Sequence, residues 1–149
     1  MTEALARAEL DRLYAMLPAL ECKGRCHDSC TAIDCSELER RRLAERGIEL
    51  PNISPRLQLR LIMAKGEVTR CPALGPLNTC TVYDIRPMIC RAFGLTMDPR
   101  APGQFADFRG PMMCDYGCVP DATISPGELN RLLSEIERIS RMVTGVRRT

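Results

Sequence analysis

At 149 residues the chain is sized for one domain, and with 45% hydrophobic residues, 4% aromatics and no Trp its core must be built from Leu, Ile, Val, Ala and Met. The net charge of +2, with acids and bases interleaved, leaves no nucleic-acid footprint, and no run approaches the roughly 18 apolar residues that suggest a membrane span. The basic residues are 19 Arg against only Lys23 and Lys65, a skew that coding composition explains more simply than a ligand does.

The N-terminal stretch MTEALARAELDRLYAMLPAL reads as an amphipathic helix over residues 3 to 20, with Thr2 as cap and Leu5, Leu10, Leu13, Leu17 and Leu20 on one face. Pro18 ends or kinks it. Acids and arginines run through this stretch where a signal peptide would place an apolar segment, so a cytoplasmic protein is expected. In that reducing compartment nine cysteines, an odd number, are expected to ligate metal in preference to forming disulfides.

The run ECKGRCHDSCTAIDC follows, with Cys22, Cys26 and Cys30 four residues apart. A helix would bring these onto one stripe drifting about 40° per step. Gly24 and Asp28-Ser29 favour a loop or broken turn, and either shape converges three sulfurs. Ser36 and Glu39 make a capping box for a helix from Glu37 to Arg46, stopped at Gly47. Ser54-Pro55 opens another to Lys65, with Leu57, Leu61 and Ile62 inward and Gly66 closing it.

The stretch CPALGPLNTCTVYDIRPMICRAFG, from Cys71 to Gly94, predicts a turn at Cys71-Pro72 and a short extended piece from Thr79 to Tyr83. A helix then opens with Asp84 as cap and Pro87 in its first turn, so that Cys80 and Cys90 flank the connection. Beyond it Pro99, Pro102, Gly103, Gly110 and Pro111 make an irregular loop, tied at its far end by Cys114 and Cys118. The last helix, about 126–144, has Ser125 as cap, Pro126 first and Glu128 completing a capping box. Its predicted apolar stripe is Leu129, Leu132, Leu133, Ile136, Ile139, Met142 and Val143, with Arg147 and Arg148 at the negative end of its dipole.

The fold expected from these elements is mainly α: four or five helices in a single domain over 1–149, around irregular cysteine-rich metal-binding loops, with at most a short β-hairpin. The motifs C-P-A-L and C-T-V-Y-D-I-R-P-M-I-C-R-A-F, behind the cluster at Cys22, Cys26 and Cys30, resemble those of the YkgJ-type cysteine-cluster family. The resemblance spans about 22–94, and Y-x-x-R-P-x-x-C-R-x-F fixes six positions in eleven. The chain departs from the family's leading C-x-x-C-x-x-C-C in its three-residue gaps and in Thr31, where the last cysteine would be doubled. The resemblance implies a zinc- or iron-chelating domain with Cys71, Cys80 and Cys90 as ligands.

Thiolates are soft ligands suited to zinc and to iron–sulfur clusters. Cys22, Cys26, Cys30, Cys71, Cys80, Cys90, Cys114 and Cys118 are the candidate metal ligands, enough for two four-ligand sites, or for one site with bystanders. The absence of a C-x-x-C knuckle favours an iron–sulfur cluster over zinc. His27 could complete a Cys₃His site but reads more simply as a loop residue, and Cys35, just before a helix cap, as a buried thiol. Tyr83 and Arg86 are candidates for polar support of the sulfurs, or for bonding within the loop. The expected function is that of a non-catalytic metal carrier or partner module acting with another protein, without nucleic acid or membrane. The alternatives are a cluster-dependent enzyme or accessory subunit, methyltransferase-associated or radical-type, and a thiol redox sensor using Cys114 and Cys118. Against the radical type, the last gap in C-x-x-x-C-x-x-x-C is one residue too long. Against a methyltransferase, no Gly-rich cofactor loop is present.

Overall fold

The first helix, α1, spans Glu3–Tyr14, and its first turn is capped by the Thr2 hydroxyl, which accepts from the Leu5 amide at 3.3 Å. It belongs to a computed structural model that describes residues 1–19, 30, 33–51, 55–66, 70–92, 95 and 121–146. Helix α2 is Glu37–Glu45, α3 Pro55–Lys65, α4 Met88–Ala92 and α5 Pro126–Thr144, with a 3₁₀ turn at Tyr83–Ile85. An isolated antiparallel bridge joins Leu74 to Cys80, and the described residues contain five helices and no strand, so the protein is mainly helical.

Helix α5 is the longest of the described elements, and α1, α2 and α4 all pack against it. Its buried stripe of Leu129, Leu132, Ile136 and Ile139 meets Leu10 and Leu13 of α1, Leu38 of α2, and Met88 and Ala92 of α4. A second, smaller cluster joins Leu43 at the far end of α2 to Ala73 and Val82, with Cys71, Cys80 and Ile85 packed against it. The cysteine-bearing segment thus lies partly in each: its loop in the small cluster, its helix in the large one.

Where caps are local, the helices begin where expected. Ser36 and Glu39 form the complete capping box of α2, and Ser125 accepts from the Glu128 amide at 3.1 Å. The second half of the box expected at α5 is replaced, because the Glu128 carboxylate pairs with Arg131 at 2.8 Å. Gly47, Gly66 and Gly145 all take positive φ at helix ends, as their positions required.

Further expectations are corrected. Helix α1 stops at Tyr14, well short of residue 20, because Pro18 has no amide to offer the Tyr14 carbonyl. Leu17 supplies it instead at 3.1 Å, tightening the last turn to 3₁₀ spacing. The inward face of α1 runs through Ala6, Leu10, Leu13 and Tyr14, which leaves Leu5 exposed. Leu57 of α3 and Met142 of α5 also face outward. Finally, no helix starts at Asp84, since Arg86 sits at ψ 140°, the extended geometry imposed on a residue before proline. The chain makes a 3₁₀ turn, breaks at Arg86-Pro87, and only then enters α4. Leu20, Ser54, residues 96–120, Arg147 and Arg148 lie outside the described residues, as does the side chain of Ile62.

Candidate metal centre

The loop from Cys71 to Cys80 folds back on itself. The Gly75 amide donates to the Thr79 carbonyl and the Thr81 amide to the Ala73 carbonyl, both at 2.9 Å, framing the Leu74–Cys80 bridge. Asn78 closes the turn at φ +57°, a left-handed conformation that Asn tolerates better than most residues, and Arg70 holds its side-chain oxygen at 2.8 Å. The fold-back brings Cys71 and Cys80 into one neighbourhood. The Cys71 amide donates to the Cys30 carbonyl at 3.0 Å, which joins Cys30 to this loop.

Downstream, Arg91 clamps the irregular connection by donating to the Arg86 and Asp84 carbonyls, each at 2.7 Å, while its guanidinium lies 4.2 Å from the centre of the Tyr14 ring. Arg46 pairs with Asp84 at 2.7 Å and ties the same turn to the end of α2. Cys90 follows two residues after the start of α4.

The sulfurs act on one another. Burial pushes the Cys90 thiol up, and the negative charges that Cys71 and Cys30 would carry push it further, while the Arg86 cation opposes them. Burial likewise raises the Cys71 thiol; the Ala73 amide counters it, Cys80 adds to the rise, and the Leu74 amide lowers it in turn. The Leu74 amide itself donates to the Cys71 carbonyl at 3.2 Å, closing a tight turn at this cysteine. Cys71 and Cys90, each partly removed from water and each near other thiols, are ionised more readily beside a cation. That donor set fits zinc or iron. Among the described residues no group of three or more His, Cys, Asp or Glu side chains is placed so that it could hold a metal ion.

Arg86 lies over the Tyr83 ring at 3.6 Å and donates to the Tyr83 carbonyl at 3.0 Å, so it bonds within the loop and reaches Cys90 through its charge. Cys35 is buried beside the Ser36 cap. Cys22, Cys26, His27, Cys114 and Cys118 lie outside the described residues.

One residue that sequence reasoning treated only as a cap has a larger place. Glu39 is buried, and its Oε2 accepts the Ser36 amide and hydroxyl at 2.9 Å each, while Oε1 accepts the Tyr14 hydroxyl and the Met88 amide at 2.8 Å each. Burial, followed by the nearby Glu39 charge and the hydrogen bond to it, raises the Tyr14 phenol, which stays protonated and keeps donating. The S-x-x-E pattern announced the cap; nothing local announced the partners 25 residues before and 49 after.

A family profile described as "CxxCxxCC: Putative zinc- or iron-chelating domain" matches residues 21–122, a stretch that holds all nine cysteines and extends past residue 94 to take in Cys114 and Cys118. No curated protein and no solved structure matches the chain.

Proposed function

Because the chain belongs to the CxxCxxCC family of zinc- or iron-chelating domains, a metal-binding family, we propose that it holds an iron–sulfur cluster or a zinc ion as a non-catalytic carrier or partner module. Cys30, Cys71, Cys80 and Cys90 form the proposed centre, and Cys22, Cys26, Cys114 and Cys118 are the further candidate ligands. The observation that supports this reading is the 3.0 Å bond between the Cys71 amide and the Cys30 carbonyl, which brings Cys30 beside Cys71. The mutual effect of their thiols supports it as well.

The bound group would supply a cation that neutralises the converging thiolates and cross-links the loops that carry them. The chain's own part is to deliver the sulfurs and to temper their charge: the Ala73 and Leu74 amides at Cys71, and Arg86 near Cys90. The three-residue gaps of the leading cluster favour an iron–sulfur cluster. No helix among the described residues is long and apolar enough to cross a membrane. We place the protein in the cytoplasm, where thiols stay reduced, with another protein as recipient or partner.

Anaerobic purification followed by metal and acid-labile sulfide analysis tests the reading. Iron with equimolar sulfide and visible absorption is expected, and zinc without sulfide would select the other group. A Cys80→Ser or Cys90→Ser chain should lose most of its metal. Full occupancy in both variants would remove these ligands and the proposed centre with them.

A further inference from the structure

We propose that Glu39 is a positioning residue of the metal centre: its buried carboxylate fixes the first turn of α4, and with it the place of Cys90. The proposal rests on the reading of Cys90 as a ligand. Helix α4 has only five residues and cannot hold itself in water, so its start must be held from outside. The Met88 amide is one of the donors that a helix N-terminus leaves without an intrahelical acceptor, and Glu39 Oε1 takes it at 2.8 Å. The Pro87 carbonyl receives the Cys90 and Arg91 amides at 3.0 and 3.1 Å, so the backbone that carries the Cys90 side chain is tied to the turn that Glu39 grips.

A capping box needs only one carboxylate oxygen, and here Oε2 alone serves Ser36. The two bonds at Oε1, to Tyr14 and Met88, do nothing for the cap of α2. They join α1 and α4 to it, and only the Met88 bond points toward the cysteines. Four donors meet one carboxylate, so an amide of the same shape must turn its NH₂ toward groups that are themselves donors.

Cobalt(II), titrated in competition with a chelator into the metal-free full chain, gives the readout through both affinity and the visible thiolate–cobalt bands. Glu39→Gln should bind cobalt about 10- to 100-fold more weakly and with altered bands, the loss usual for outer partners of ligands. Glu39→Asp keeps the charge and the cap but cannot reach α4; it should show the same loss and serves if Glu39→Gln does not fold. Tyr14→Phe removes one donor and leaves the Met88 bond, so it should lower the thermal midpoint while keeping cobalt affinity and bands. Unchanged affinity and bands in a folded Glu39 variant would overturn the proposal. So would an equal loss in Tyr14→Phe, or failure of both Glu39 variants to fold with cobalt present, since Glu39 would then act only on the fold. Cys90→Ser separates the two claims: unaltered cobalt binding there, or none by the unsubstituted chain, would remove the underlying reading, whereas loss there with intact binding in the Glu39 variants would remove only the positioning role.

Discussion

Ser140 shows how much one small polar group can settle. It lies in α5 with its side chain buried, and its hydroxyl oxygen accepts from the Leu38 amide at 3.0 Å, so α5 supplies a cap to the N-terminus of α2. Together with the Ser36 hydroxyl, which takes the Glu39 amide at 3.3 Å, it satisfies donors that the first turn of α2 cannot satisfy itself. Ser140→Ala would leave the Leu38 amide buried without an acceptor, a loss of about 1–3 kcal/mol. Urea unfolding should therefore show a lower midpoint with an unchanged slope; an unshifted midpoint would mean that the bond adds nothing net to the fold. None of this was legible in the sequence, because the two partners are 102 residues apart and Ser140 reads as a polar gap in an apolar stripe. The Glu39 cap was legible for the opposite reason, its first partner being three residues away.

Among the elements, α2, α3 and α5 could be bounded from sequence because their signals are local: a cap residue, a proline at the first turn, a glycine just past the end. Helix α4 could not. Its start depends on a break that Pro87 imposes on Arg86 and on a carboxylate 49 residues upstream, neither of which leaves a periodic trace. The same difference governs stability, since α4 contributes Met88 and Ala92 to a core whose backbone is α5. Ile136→Ala, near the middle of that stripe and 2% exposed, should cost about 2–5 kcal/mol through lost burial and the cavity left behind. A thermal melt of both variants is the direct check, and a larger fall in midpoint than for Ser140→Ala is expected. Equality of the two would show that the surrounding helices close over the gap.

At the scale of the molecule, the fold class and the cysteine-cluster identity were readable because both rest on spacing, capped helices in one case and C-x₈-C-x₉-C with its prolines in the other. How the parts depend on one another was not readable. The large core links α1, α2, α4 and α5 through many aliphatic contacts, whereas the small cluster around Leu43, Ala73 and Val82 has three buried residues and includes Cys71 and Cys80 at its edge. A centre at those sulfurs would therefore be a main support of the loop and only a secondary support of the helices. Removing the metal with a strong chelator should leave most helical circular dichroism in place while amide exchange accelerates at Gly75 and Thr81, whose bonds to Thr79 and Ala73 frame the loop. Exchange at buried amides of α5, such as those of Ile136 and Ile139, should change much less, because their burial does not depend on the cysteines. Cooperative loss of helix on chelation would instead make the metal a condition for the whole fold, as in small domains whose folding energy is metal binding. Unchanged exchange at Gly75 and Thr81 would show that the loop stands without it.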